Sequence, residues 1–164
     1  MATETYTALA TTTLSASASS VTFSSIDQSY GDLVLVYNGT NSTDGVIKAQ
    51  ANNDTGSNYS FVRMGGNGSI AFSASENTNY FPIQRSSRPT GNQAIVQIMD
   101  YSATDKHKTI LSRGNIDDND SGNLVVEAVA SRWANTSAIT ELDIFPNSGT
   151  FDSGSTFSLY GVAK

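Results

Sequence analysis

Short stretches of alternating apolar and polar residues, separated by turn-forming residues, constrain this chain to an all-β fold. The clearest stretch is residues 138–164, where Leu142 and Ile144 share one predicted strand face and Ile139 lies on the other. The second predicted strand of this stretch places on a common face Phe157, Leu159 and Gly161. Pro, Asn, Ser and Gly residues between the two strands favour turns. We therefore predict two strands joined by a loop, with the C-terminal strand paired into a sheet.

The same pattern recurs along the rest of the chain, which predicts roughly ten strands spaced about 8–14 residues apart. No segment shows the period of about 3.6 residues that marks an amphipathic helix. No linker divides the 164 residues, and a chain of this length fits one domain with its own core. These observations predict a single antiparallel β-sandwich.

Three segments predict how the strands face the core. The apolar run 33–37 is bounded by turn residues and is typical of a central strand covered on both faces. The glycine-rich residues 65–68 lie between two apolar segments and predict a hairpin turn. Alternation over residues 124–130 predicts that Leu124 and Val126 face inward. The predicted core contains Phe23, Leu33, Leu35, Ile47, Phe72, Val96, Ile98, Val126, Leu142, Ile144, Phe157 and Leu159.

Composition and charge argue against several classes of function. The net charge is −6, and the 9 basic residues are scattered among 15 acidic ones. Nucleic-acid binding needs clustered Lys and Arg, so we predict neither a nucleic-acid partner nor a membrane partner. The absence of cysteine excludes disulfides, thiolate metal sites and a cysteine nucleophile. The N-terminus lacks a basic region followed by an apolar run, so we expect no signal peptide and synthesis in a cytoplasm.

Few residues suggest catalysis or metal binding. His107 is the only histidine, and its polar, lysine-rich flanks favour an exposed turn over a Ser-His-Asp triad. The acidic segment with Asp117, Asp118 and Asp120 offers oxygen ligands for Ca²⁺, but its spacing differs from that of an EF-hand loop. We favour a solvated loop for this segment, and we expect no catalytic residue, no cofactor and no metal.

Aromatic residues offer one further binding chemistry. Trp133 beside Arg132, and the pair Tyr80-Phe81, have rings that could stack on a sugar. Packing in the core is the interpretation that we favour for these rings. The neutral polar composition nevertheless keeps glycan binding as an alternative function.

Six segments, taken in order, resemble small β-rich virion proteins of tailed phages. They are residues 21–26 (VTFSSI), 28–33 (QSYGDL), 53–59 (NDTGSNY), 108–114 (KTILSRG), 138–146 (AITELDIFP) and 154–161 (GSTFSLYG). Together they span about residues 18–162, which is nearly the whole chain. One departure is Asp27, where these proteins usually carry proline.

The resemblance implies a jelly-roll-like β-sandwich on a phage particle. Such modules serve as capsid decoration (cement) proteins, head fibres or tail-fibre domains, and the resemblance carries no catalytic residues with it. Only about 17 residues precede the similar region, which favours a capsid-bound protein over a fibre with a long shaft.

These arguments lead us to expect a virion structural protein that binds the outer shell of the capsid and stabilises the head. The expected partner is the major capsid protein, and the expected oligomer is a homotrimer. The alternative is a tail-fibre, receptor-binding or glycan-binding module, and an enzyme is the third hypothesis.

The first residues of the chain are expected to make the contact. We predict that residues 1–17 form an N-terminal arm or edge strand and that residues 18–164 form the sandwich domain. No charged residue lies between Tyr6 and Ser15, so nothing in this segment discourages pairing with another chain. The residues expected to contact a sister copy or the shell are Tyr6, Thr7, Leu9, Thr11 and Thr13.

Overall fold

The computed structural model describes residues 4–116 and 125–164. This part of the chain contains twelve β-strands and no helix, and so no helix able to cross a membrane. In chain order the strands are β1 (Tyr6–Thr13), β2 (Val21–Phe23), β3 (Asp32–Gly39), β4 (Gly45–Ala51), β5 (Tyr59–Gly66), β6 (Ala71–Thr78), β7 (Phe81–Ser87), β8 (Asn92–Met99), β9 (Lys108–Ile116), β10 (Val126–Trp133), β11 (Leu142–Pro146) and β12 (Thr156–Val162).

Eight of the strands form the two layers of a jelly roll. Their orders are β1-β12-β3-β8 in one layer and β2-β11-β4-β7 in the other. Along the chain, β1 to β4 alternate between the layers, β7 lies in the same layer as β4, and β8, β11 and β12 alternate again. All pairs in both sheets are antiparallel. The predicted all-β, antiparallel, jelly-roll-like sandwich is therefore confirmed.

The remaining four strands widen one layer only. In the order β9-β10-β5-β6, which we call the extension, they continue from β8 and make an eight-stranded sheet. The opposite layer keeps four strands, and its edge strand β7 contacts β9 and β10. Within residues 4–116 and 125–164, no second layer lies over the outer face of the wide sheet, which is the face turned away from the four-stranded sheet.

Most of the predicted core is buried between the layers of the jelly roll. The confirmed residues are Phe23, Leu33, Leu35, Ile47, Val96, Ile98, Leu142, Ile144, Phe157 and Leu159. The ring of Tyr37 stacks on Phe157 with 4.9 Å between centroids, and Phe151 meets Phe157 edge to face at the same distance. Aliphatic and aromatic packing therefore defines this half of the molecule.

The predicted inward face of β10 is wrong. Val126 is 67% exposed, and the buried face of the strand carries Glu127, Val129, Ser131 and Trp133 instead. The alternation gives the wrong face because Glu127 and Ser131 interrupt the buried face with polar residues, while Val126 and the alanines of the strand point to solvent. Leu124 lies outside the described residues.

Phe72 is only half-buried, which corrects its predicted place in the core. Its ring lies on the inner side of β6, against Gly65 of β5, where a side chain would overlap it. The four-stranded sheet ends before this strand, so nothing apolar covers the other side of the ring. The guanidinium of Arg63 lies 5.0 Å from the ring centroid instead.

Two further predictions of strand faces differ from the structure. In β3, Leu33 and Leu35 are buried, whereas Val34 and Val36 are half-exposed, so this strand is covered on one face only. Ile139 is fully buried, although it was placed opposite Leu142. The reason is that β11 begins at Leu142, so Ile139 lies in the preceding loop and does not follow the alternation of the strand.

Candidate docking surfaces

The outer face of the wide sheet is concave and aliphatic. Cross-strand pairing places Val34, Gln97, Leu111, Ala130 and Val62 in one row from β3 to β5. A depression of about 410 Å³ opens over this row and reaches Tyr6 of the edge strand β1. We call this surface the concave face, and it consists of the outward residues of β3, β8, β9, β10 and β5.

The extension carries aliphatic residues on its outer face and polar residues among the apolar ones on its inner face. Val62 and Met64 of β5 are more than half exposed, and Leu111 of β9 is 41% exposed. On the inner face, Ser112 and Glu127 are buried among aliphatic and aromatic side chains. A sheet face turned to solvent usually carries polar residues rather than aliphatic ones. The exposed aliphatic residues therefore indicate a surface meant to contact something outside the chain.

Arg113 occupies the middle of the concave face. Register places it between Ile95 of β8 and Ala128 of β10. Its side chain borders the depression described above and also a second depression of about 490 Å³. The second depression lies near Asn38, where amide side chains line part of the face. Among the described residues, no carboxylate lies within ion-pair distance of Arg113.

The concave face carries little negative charge of its own. Its charged residues are Arg113, Arg132 and Asp32, and none of its positions holds Lys or Glu. Asp32 is engaged within the chain, because it accepts hydrogen bonds from the amide of Gln97 at 3.2 Å and from the backbone of Asp100 at 2.9 Å. The face is thus locally cationic on a chain whose net charge is −6.

The predicted N-terminal contact residues form one open edge of the wide sheet. They lie in β1, which pairs with β12 along its length and has no partner on its other side. Tyr6, Thr11 and Thr13 are exposed, whereas Thr7 and Leu9 are half-buried and line a cleft of about 520 Å³ beside β2. The structure thus separates the five residues onto the two sides of one edge strand.

The backbone of β1 offers hydrogen-bonding groups at this edge. Leu14, directly after the strand, donates to Ser155 and accepts from Gly154, so its backbone groups face β12. Because these groups alternate along an antiparallel strand, the N–H and C=O of Thr13 point away from β12. This edge therefore has free pairing groups and no charged side chain to block them.

Within the described part of the chain, the candidate catalytic histidine and the potential metal ligands do not assemble into a site. His107 is exposed in the turn before β9. The predicted hairpin between β5 and β6 is present, but its turn is formed by residues 67–70, and Gly65 and Gly66 are paired within the hairpin as the end of β5. No group of three potential metal ligands comes together within residues 4–116 and 125–164. The acidic segment with Asp117, Asp118 and Asp120 lies outside the described residues.

The aromatic residues considered for sugar stacking lie inside the protein. Trp133 and Phe81 are each 1% exposed, and Tyr80 is buried beside Phe61. Trp133 packs against Tyr59 with 6.3 Å between ring centroids. The favoured interpretation of core packing is confirmed, and these rings have no free face to offer a ligand.

The segment 53–59, one of the six segments named in the sequence analysis, has a structural role. Asp54 accepts hydrogen bonds from the indole of Trp133 at 2.7 Å, from the amide of Asn58 and from the backbone of Gly56. Burial opposes ionisation of this carboxyl, but the hydrogen bonds outweigh it and lower the pKa of Asp54 below its usual value. The hydroxyl of Tyr59 also accepts a hydrogen bond from the N–H of Ala51.

A cluster of charged residues lies on the inner side of the extension. We call Arg63, Arg85, Glu76 and Glu127 the inner polar cluster. The side chain of Glu127 is 2% exposed, lies 3.7 Å from the Arg63 guanidinium and accepts a hydrogen bond from the backbone of Arg85. Arg85 also pairs with Glu76 at 2.5 Å. These contacts join β5, β6, β7 and β10 beside the apolar cluster that contains Phe61 and Val129.

Sequence reasoning missed the residues of the concave face. Val34 and Val36 were placed in a doubly covered strand, and Val126 was placed in the core. One signal was available in the sequence. Several predicted strands carry apolar residues on both faces, and a chain without predicted helices has no helical layer to cover the second face. Arg113 carried no sequence signal, since its position at the centre of the face depends on strand register.

Comparison with known proteins gives only distant structural likenesses. No protein-family model and no curated protein sequence matches the chain. The carbohydrate-binding module of a Ruminococcus gnavus sialidase, bound to α2,3 sialyllactose, is similar with 6% identity and a TM-score of 0.39, covering 96% of this chain and 95% of that one. The Caenorhabditis elegans galectin LEC-6 has 11% identity and a TM-score of 0.36, covering 100% and 99%.

An alginate lyase is a third similar structure, with 14% identity and a TM-score of 0.39, covering 93% of this chain and 77% of that one. At these identities and TM-scores, the likenesses carry no argument about what the chain binds. The functional argument therefore depends on the surfaces described above.

Proposed function

We propose that the chain is a non-catalytic structural protein of a tailed-phage virion, and that it binds the outside of the capsid as a decoration protein. The observation that carries this proposal is the exposed aliphatic concave face. A contiguous apolar surface of this kind fits docking onto another protein better than it fits catalysis. The resemblance of six segments to phage virion proteins supports the choice of partner, the major capsid protein.

The lack of an assembled catalytic site in the described residues agrees with this proposal. His107 stands alone at the surface, and the buried Glu127 is held by two arginines inside the sandwich. Neither group lies in a cleft beside a nucleophile or a second free acid, as hydrolytic chemistry requires.

The edge strand β1 is the proposed contact between copies, in a homotrimer. Backbone groups at Thr13 point away from β12, so an incoming strand gains hydrogen bonds without meeting a charge. Residues Tyr6, Thr7, Leu9, Thr11 and Thr13 remain the proposed contact set.

Rebinding to capsids tests the proposal. Undecorated capsids are mixed with the purified protein, and bound protein is separated by sedimentation. We expect saturable binding with a fixed number of copies per capsid. Binding to tails or baseplates and not to capsids would contradict the proposal.

A proline at the edge tests the contact between copies. Thr13→Pro removes an outward N–H and leaves the bonds to β12 in place, because proline is tolerated on an edge strand. Analytical ultracentrifugation should then show weakened self-association. Thr13→Ala is the matched control, since it retains the N–H, and it should associate as the wild type does. Equal association of both variants would show that the free edge of β1 is not the contact.

Glycan binding is the second candidate, and a specific observation favours it. The end of the concave face near the depression of about 490 Å³ carries the amide side chains of Asn38, Gln93 and Asn115 beside Arg113, among apolar residues. Amide and guanidinium groups bind sugar hydroxyls and carboxylates. A glycan array measured with the wild type and with Asn115→Ala tests it, and absence of binding by the wild type would reject it.

A further inference from the structure

The centre of the concave face combines three properties of a protein-docking site. It is aliphatic, with Val34, Ile95 and Leu111 around a depression of about 410 Å³. It contains Arg113 and Met64 and no Lys or Glu; Arg and Met are enriched at protein interfaces, and Lys and Glu are depleted there. It also lies on paired strands in the middle of an eight-stranded sheet, so its shape is fixed before binding.

The charge of this centre indicates what the partner carries. Arg113 stands among aliphatic side chains, and no described carboxylate lies within ion-pair distance of it. Arg132 lies on the neighbouring strand β10, and the single acid of the face, Asp32, is held by Gln97 and Asp100. A partner that covered this face without presenting a carboxylate would bury the charge of Arg113, and no opposite charge would offset the lost hydration.

From this complementarity we infer that the concave face binds an acidic, aliphatic segment of the capsid shell protein, with a carboxylate of that segment paired to Arg113. The inference rests on the proposed function and assigns the shell contact to this face, distinct from the contact between copies at β1. A planar guanidinium pairs with a carboxylate through two parallel hydrogen bonds, so it fixes the register of the bound segment.

Other occupants fit the centre of the face less well. A second copy would have to present a projecting acidic surface, because two concave faces do not complement each other in shape. A sugar needs hydrogen-bonding groups, and the residues around the depression include the aliphatic side chains of Val34, Val62, Ile95 and Leu111. These occupants are tested as alternatives below.

The experiment measures binding isotherms on undecorated capsids. Arg113→Glu reverses the charge at the centre, and Leu111→Ser removes aliphatic surface beside it. Both side chains are exposed, so circular dichroism and the melting temperature should match the wild type. We expect each variant to raise the apparent Kd for capsids roughly tenfold or more. Lys48→Glu is the matched control, because it makes the same charge change on the outer side of β4, and it should bind as the wild type does.

The outcomes separate this inference from the proposed function. If the wild type does not bind capsids at all, both fail together. If the wild type binds, and Arg113→Glu and Leu111→Ser bind equally well, the capsid function stands and the concave face is not the contact. Loss of glycan binding or of self-association in Arg113→Glu, with capsid binding unchanged, would also overturn the inference and would assign the face to a sugar or to a second copy.

Discussion

The two halves of the wide sheet differ in the residues that they place against the four-stranded layer. In the jelly-roll half, Leu35, Val96 and Leu159 fill the space between the layers. In the extension, Ser112 and Glu127 are buried among aliphatic and aromatic side chains, while further aliphatic residues face outward. One half is stabilised mainly by apolar burial, and the other combines apolar burial with polar contacts.

The contrast shows what the extension contributes. Its polar contacts tie it to the jelly roll, since the amide of Gln84 on β7 donates to the carbonyl of Asn115 at 2.9 Å and Ser112 donates to the carbonyl of Pro82 at 3.1 Å. Its outward residues lengthen the concave face beyond β8. We conclude that the jelly-roll half provides the fold, and that the extension provides surface for a partner.

The largest expected effect is in the jelly-roll core. Leu35→Ala should lower the free energy of unfolding by about 2–5 kcal/mol, because it removes a buried side chain and leaves a cavity. Val34→Ala, the next residue of the same strand, is half-exposed and should cost less than about 1 kcal/mol. Urea unfolding of both variants measures the contrast, and equal losses would mean that both faces of β3 are covered.

The inner polar cluster should show a smaller effect. Glu127→Gln keeps the shape of the side chain but removes the buried negative charge beside Arg63 and weakens the acceptor for the backbone N–H of Arg85. Both arginines are partly exposed, so we expect a loss of roughly 1–3 kcal/mol. Glu4→Gln, at an exposed position, is the control. A variant as stable as the wild type would show that the charged contacts do not hold the extension in place.

Asp54, in the loop after β4, accepts a hydrogen bond from Trp133 of the extension and so joins the two halves. We expect this contact to make the free energy of unfolding depend on acid pH. The folded pKa of Asp54 lies below its unfolded value, so its contribution is complete above the unfolded pKa, about 3.9, and is lost as pH falls through the folded value. Asp54→Asn should cost roughly 1 kcal/mol at neutral pH. The difference between the variant and the wild type should shrink below about pH 4 in thermal unfolding series. A difference independent of pH would contradict this role.

The smallest expected effect is at Val126. Its side chain is 67% exposed on the concave face, so Val126→Ala should change the free energy of unfolding by less than about 0.5 kcal/mol. Val129→Ala, on the buried face of the same strand, serves as the comparison and should cost about 1 kcal/mol or more. A large loss of unfolding free energy in Val126→Ala would mean that this side chain is buried and does not face solvent.

The same contrast explains how far the sequence could predict this structure. In β8 and β12 apolar residues are buried at every second position, so periodicity identified these strands and their inward faces correctly. In β10 the inward Glu127 is stabilised by arginines from β5 and β7, which are distant in sequence, and periodicity alone selected the wrong face. The concave face could not be predicted for the same reason. Its residues become neighbours only through the order of the strands, which places Arg113 between Ile95 and Ala128.

Cryo-electron microscopy of the assembled particle tests the central claim most directly. We predict copies of this protein on the outside of the capsid shell, with the concave face against the shell and an acidic segment of the shell protein at Arg113. Density for this chain on the tail or baseplate, or on the capsid with the concave face open to solvent, would contradict the account.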